Sequence, residues 1–171
     1  MTQITETDRL IIREFTINDY KDLYRFGSIP KVQKYTEDKV LKNHLEAKKI
    51  ISNIIQNQYL INGYGRWAVI FKNNKHLIGA AGLKYLSEIN ETDIGYRFLP
   101  SYWNKGIASE AVKAITEYGF KKIGLQKING FVIPENIASS IVLQKNGYRF
   151  DKQQIYPTDK KVYNWYFIFN K

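Results

Sequence analysis

Apolar residues along this chain recur with a period of two in some blocks and near 3.6 in others, and the order of the blocks predicts a mixed fold. Arg9 to Phe15 (RLIIREF) sets branched apolar residues between charges and reads as a β-strand. Thr16, with Asp19 three positions on, is placed to cap a short helix whose Tyr20, Leu23 and Tyr24 share a face. From Leu41 to about Gln58, the residues Leu41, Leu45, Ile50, Ile51, Ile54 and Ile55 form one broad stripe at helical spacing. Asn62-Gly63-Tyr64-Gly65 then marks a turn. Three strands are predicted next, Arg66 to Phe71, His76 to Tyr85 and Glu91 to Phe98, the first two joined as a hairpin at Asn73-Asn74. A helix from Gly106 to about Lys122 carries Ala108, Ala111, Val112, Ile115 and Tyr118 on one side. Lys127 to Val132 is a short strand broken at Pro134, and Asn136 can cap a helix from Ile137 to Lys145 with Asn146-Gly147 as its left-handed exit. Two strands close the chain. The last is the clearer: Tyr163, Trp165, Phe167 and Phe169 alternate with Val162, Asn164, Tyr166 and Ile168. The order β-α-α-β-β-β-α-β-α-β-β describes an α+β fold, with about seven strands in a mixed sheet and about four flanking helices. No repeat, linker or low-complexity tract divides residues 1–171, so a single domain is expected.

Composition narrows the chemistry. Hydrophobic residues at 44% and aromatics at 15% argue against disorder. No apolar run approaches the ~18 residues of a membrane span. Met1 to Glu6 lacks a basic start and an apolar core, so no signal peptide is expected and the cytoplasm is the default compartment. The absence of cysteine excludes thiol catalysis and thiolate metal sites, and two histidines far apart, His44 and His76, make a metal enzyme an unpromising reading. A net charge of +10 fits a solvated lysine-rich exterior, an anionic ligand or a nucleic-acid surface. Its lysines are scattered, no helix carries a basic stripe, and aromatic residues spaced by two in strands read as core, so nucleic acid is disfavoured as a partner. Exposed strand edges are compatible with a monomer or a homodimer.

The densest chemical signal lies between two strands. Asp93-Ile94-Gly95-Tyr96-Arg97-Phe98 ends near Pro100, a short turn carries Trp103-Asn104-Lys105-Gly106, and a helix begins at once with Ile107-Ala108-Ser109. A helix N-terminus presents unpaired N–H groups with the helix dipole behind them, a site for phosphate or pyrophosphate. Gly106 leaves the backbone open to close approach by an anion.

This segment resembles the acetyl-coenzyme A loop of the GNAT acetyltransferases, most closely the branch of ribosomal-protein N-terminal (RimJ/RimL-type) acetyltransferases. Thr7 to Phe15 is similar to that branch's opening, and Val132 to Tyr148 to its later V-x-P-x-N-x-x-S…L-x-K-x-G-F/Y pattern. The resemblance is weakest between Ile29 and Asn62, the part that shapes the acceptor site. It implies the GNAT fold, acetyl-CoA as co-substrate, no metal, and a primary amine as acceptor. Asn104 to Ser109 would hold the pyrophosphate through backbone amides, with Lys105 adding charge, and Tyr96, Phe98 and Trp103 lining the cofactor. Asn136 would meet the pantetheine arm, or serve simply as a helix cap. Lys145 could reach phosphate, or be a solvated helix lysine.

Acetyl transfer to an amine requires a base, stabilisation of the oxyanion and help for the departing thiolate. Asp93 stands where the branch usually has Glu before Ile-Gly-Tyr and is the first candidate base. Glu91, two residues earlier on the same strand face, is the alternative. Where many members place a tyrosine acid this chain has Leu143, which leaves Ser139 as the candidate to hydrogen-bond the thiolate. Without cysteine, direct attack in a ternary complex is expected. A protein N-terminal α-amine is the favoured acceptor and a small-molecule amine its rival, while Leu143 and the shortened Asp93 keep a non-catalytic coenzyme A sensor in view. The positive charge disfavours polyamines unless an acidic pocket exists locally.

Overall fold

The computed structural model describes residues 2–36 and 38–170; Met1 and Lys171, the ends of the expected domain, and Glu37 lie outside the described residues. Eight strands form one sheet: β1 (Gln3–Glu6), β2 (Leu10–Arg13), β3 (Arg66–Phe71), β4 (His76–Leu86), β5 (Glu91–Phe98), β6 (Lys127–Val132), β7 (Arg149–Ile155) and β8 (Val162–Phe169). Their spatial order is β1-β2-β3-β4-β5-β6-β8-β7. Every neighbouring pair is antiparallel except β5 and β6, which are parallel. Helices cover the sheet on two sides. α1 (Tyr20–Gly27), α2 (Pro30–Gln33) and α3 (His44–Ile54) pack over Phe15, Ala68, Leu77 and Ala80, while α5 (Ile107–Tyr118) and α6 (Ile137–Lys145) lie over the larger core of Ile12, Trp67, Ile94 and Ile128. No helix of the described residues is long and apolar enough to cross a membrane.

The strands β3, β5 and β6 and the helix α6 have the bounds the patterning predicts. Two elements escaped it. β1 is polar (QITE) and exists because β2 supplies its ladder, and α2 is a single turn begun by Pro30. The long helix expected from Leu41 starts instead at His44. Asn43 caps it by accepting from the Glu46 N–H at 3.0 Å, and Glu46 reaches back to the Lys42 N–H at 2.7 Å. Leu41 is thereby released to pack beside Gly27, and Leu45, assigned to the stripe by spacing, is 61% exposed. The helix continues past Ile54 through a π-helical turn (Ile55–Tyr59) into the last turn α4 (Leu60–Asn62). Thr16 and Asp19 form their capping box around a 3-10 turn, with Asp19 also held by Arg13 at 2.7 and 2.8 Å. Burial works against that carboxylate, but Arg13 and the Thr16 N–H and hydroxyl hold its pKa below the ordinary value.

Candidate active site

Strands β5 and β6 share one registered pair, Asp93↔Asn129, and diverge beyond it. On its other side β5 stays paired with β4 along its whole length. Leu99 N–H donates to Ile78 O on that side, so the alternation of an antiparallel ladder turns the amides of Tyr96 and Phe98 toward the gap. The gap is the centre of a cleft of about 1030 Å³ running from the α5 N-terminus and α6 to the underside of α1–α3.

The loop before α5 forms one wall. Asn104 and Gly106 both adopt left-handed backbone (φ 58° and 75°), turning the chain so that Ile107 begins the helix with its amides facing the cleft. The first demand on Gly106 is therefore conformational: a Cβ there would meet only Arg9, at 3.5 Å, but a side chain would strain the φ. Trp103 ties the loop to the sheet by donating its indole N–H to Phe98 O at 2.8 Å. From behind, Arg9 donates to Lys105 O at 2.9 Å and to Glu110 at 2.6 Å, while Glu110 also accepts from the Thr7 hydroxyl and, at 3.1 Å, from the Arg9 N–H. Burial works against the Glu110 carboxylate, but these donors hold its pKa below the ordinary value. Two segments singled out separately in the sequence, Thr7–Arg9 and Lys105–Glu110, are thus one clamp, and neither Arg9 nor Glu110 stood out as a site residue beforehand.

Helix α6 forms the adjoining wall. The Asn136 side-chain oxygen accepts from Ser139 N–H at 3.3 Å, so its capping role is realised, and both residues line the cleft. Tyr96 donates its hydroxyl to Ser139 O at 3.0 Å, and burial pushes that hydroxyl's pKa well up, so it stays protonated at neutral pH. Ser109 is tied to the end of α6 by Asn146 at 2.9 Å, and Lys145 is exposed at the cleft rim. Leu143 is 1% exposed, in the core.

On the opposite face of β5, alternation places Glu91, Asp93, Gly95 and Arg97 under α1–α3. Asp93 sits at the apex of the divergence, its side chain 13% exposed, with both oxygens 2.9 Å from Arg66 Nη2. The Arg66 guanidinium also donates to Gly82 O at 2.5 Å and to Asp93 O at 3.2 Å, lying flat across the sheet. Gly95 makes that path possible, because a Cβ there would fall 2.5 Å from Arg66 Nη2. Glu91 lies on that face but outside the cleft. It accepts from Lys127 Nζ at 2.5 Å and Asn129 Nδ2 at 2.8 Å. Of the two carboxylates named from sequence, only Asp93 reaches the site. Arg66 and Arg97 were missed, since nothing local to either signals a partner 27 or 59 positions away.

The arrangement fits a long ligand with an anionic end: helix amides and left-handed turns at one end, a strand edge with free amides in the middle, and a fixed carboxylate at the apex. Residues 9–149 match the family described as the acetyltransferase (GNAT) domain. The uncharacterized N-acetyltransferase YoaA of Bacillus subtilis (strain 168) is 31% identical over 172 residues, covering 96% of this chain and 97% of YoaA. Among solved structures, the ribosomal alpha-N-protein acetyltransferase RimL in complex with coenzyme A superposes with a TM-score of 0.84 at 18% identity over 98% of both chains. Spermidine N-acetyltransferase from Vibrio cholerae, in complex with coenzyme A and spermine, gives 0.77 at 17% identity, covering 95% of this chain and 96% of its own.

Proposed function

The chain belongs to the GNAT acetyltransferase family and is an N-acetyltransferase, and from that premise we propose that it acetylates a protein N-terminal α-amine by direct attack in a ternary complex, with residues 1–171 acting as one domain. Acetyl-CoA, the family's co-substrate, supplies the acetyl group as a thioester. The amides of the loop and first turn of α5, from Asn104 to Ser109, backed by the helix dipole, hold its pyrophosphate; Lys145 at the cleft rim adds charge, while the Lys105 side chain is exposed and not among the residues that line the cleft. The Tyr96 and Phe98 amides, turned toward the gap, line the arm and polarise the acyl carbonyl. Asp93 takes the proton from the acceptor ammonium: Arg66 uses two of the four or so lone-pair sites of a carboxylate and leaves the rest for the amine. Ser139, held through its carbonyl by the Tyr96 hydroxyl, gives the departing thiolate a hydrogen bond, and Tyr96, whose proton already goes to that carbonyl, positions it.

The observation that carries this reading is the single registered pair between β5 and β6, which opens the sheet and sets Asp93 at its apex. An α-amine acceptor is supported by the likeness to RimL and by Arg66, which already neutralises the one carboxylate at the apex. The test is free-thiol release from acetyl-CoA against N-terminal peptides, aminoglycosides, polyamines and amino acids, with calorimetric binding of acetyl-CoA alongside. Turnover confined to peptides is expected. Turnover confined to a small amine would replace the acceptor, and absence of acetyl-CoA binding would remove the reading altogether.

A further inference from the structure

The acceptor end of the cleft is, among the described residues, not an acidic pocket. Among the described residues, six cationic side chains line the whole cleft against three carboxylates, and only one of the six, Lys145, lies at the cofactor rim on α6. Each carboxylate already has a donor: Asp93 is held by Arg66, Asp38 by Arg97, and Glu88 by the Tyr156 hydroxyl at 2.7 Å. Lys31 and Lys34 lie over the rings of Trp103 and Tyr35, at 5.1 and 4.8 Å from the centroids, and Lys84 stands directly across from Asp93 in the β4–β5 register. A polyamine needs carboxylates to receive its second and third ammonium groups, and this lining offers it cations instead.

Resting on the N-terminal acetyltransferase reading, we propose that the acceptor is a peptide amine that brings its own negative charge, and that Arg97 is the residue that reads it. Arg97 lies on the same face of β5 as Asp93, four residues further along, which is roughly 13 Å at the rise of a strand. An extended peptide covers that span in about four residues, so with the α-amine at Asp93 an acidic side chain at the third or fourth position meets Arg97. Asp38 marks the geometry. Its carboxylate is seated on the Arg97 guanidinium beside the Gln33 side-chain oxygen (2.9 Å), yet Asp38 is 48% exposed against 15% for Arg97. It therefore surrenders the guanidinium to an incoming carboxylate with little change in its own solvation. Gln33 fixes the guanidinium through Nη1, the nitrogen that Asp38 also meets, so the site reads position as well as sign.

The test is kcat/KM for three peptides identical except for glutamate, glutamine or lysine at the third and fourth positions, with spermidine and free glutamate as further acceptors. Glutamate is expected to exceed glutamine by about tenfold and lysine by more, with the gap shrinking as salt is raised. Arg97→Gln should bring the glutamate-to-glutamine ratio to about one, and Asp38→Asn, a substitution at an exposed position, should lower KM for the glutamate peptide. Equal or better turnover of the lysine peptide or spermidine overturns the proposal while leaving the acetyltransferase reading intact. So does free glutamate outrunning every peptide, or a ratio unmoved by both substitutions. Acetyl-CoA binding without transfer to any amine overturns the reading beneath it as well.

Discussion

The α5 wall of the cleft takes its shape from backbone geometry within a few residues, whereas the α1–α3 wall is assembled from side chains 27 to 59 positions apart in the chain. On the first wall, two left-handed residues, a helix start and an indole tied five residues back define the loop before any distant partner is considered. On the second, Arg66 reaches across β4 to hold Asp93, and Arg97 is held by Gln33 of α2 and by Asp38 from the connection between α2 and α3. On the proposed reading, the first wall depends on distant residues through the Arg9–Glu110 clamp behind it, while the second can be re-specified by exchanging single pairs in its lining. Solved structures that share this fold include both RimL and a spermidine N-acetyltransferase, so the fold alone does not select the acceptor.

The most forceful way to break this division is Asp93→Asn. If the apex carboxylate is the base, turnover should fall by roughly 100-fold or more, while acetyl-CoA affinity measured by calorimetry stays within about twofold. The substitution leaves Arg66 without its anion, so the thermal midpoint has to be followed beside the kinetics. Full turnover would remove the base assignment. The second test acts on the other wall. Gly106→Ala places a side chain at φ 75°, costing roughly 1–2 kcal/mol of loop stability, and should weaken acetyl-CoA binding by about tenfold. Gly106→Asn, which tolerates left-handed backbone, should recover the thermal midpoint. If it also recovers the affinity, the need for glycine is conformational; if affinity stays low, a bare backbone is needed for close approach.

The same division explains what could be read beforehand. The loop and α6 were legible because caps, glycines and a strand-ending proline act over three or four residues, so local patterning locates them. β5 was legible in bounds and in alternation, which put Glu91 and Asp93 on one face. Which of the two meets the cleft was not, because that depends on Arg66 from β3 and on Lys127 and Asn129 from β6. The start of α3 was misjudged for a related reason: Leu41 fits the helical stripe, but Asn43 caps the helix two residues later and Leu41 fills space beside Gly27. β1 had no signature of its own, being four residues whose strand character is lent by β2.

A smaller effect is expected at the clamp behind the α5 loop. Arg9→Ala removes the donor to Lys105 O and should raise the acetyl-CoA dissociation constant by about fivefold, roughly 1 kcal/mol. Activity at saturating acetyl-CoA should change less. The clamp also has a pH signature. The Glu110 carboxyl is held below its ordinary 4.5, so its contribution to stability is complete above that value and is lost as the pH falls through the lower, folded-state pKa. Asp19 and Glu88 act in the same direction, Glu88 because the Tyr156 hydroxyl, its own backbone N–H and Lys84 outweigh burial. Glu110→Gln should flatten the acid limb of the thermal midpoint against pH without changing the neutral plateau's shape. An unchanged limb would show that the clamp is not formed in solution.

The smallest expected effect is the sharpest on the comparison of carboxylates. Glu91 and Asp93 share a strand, a face and a charge, and only their partners differ. Glu91 spends its oxygens on Lys127 and Asn129, with a third of its side chain in water, so the pair contributes under about 1 kcal/mol to stability. Glu91→Gln keeps an acceptor for Asn129 and gives up only the ion pair. It should therefore leave kcat and KM for both substrates within about twofold of the unaltered protein. Stopped assays on Glu91→Gln and Asp93→Asn prepared side by side decide the matter. A loss at Glu91 comparable to that at Asp93 would mean that proton removal runs along β5 rather than at its apex, and the boundary drawn between the two walls would have to move with it.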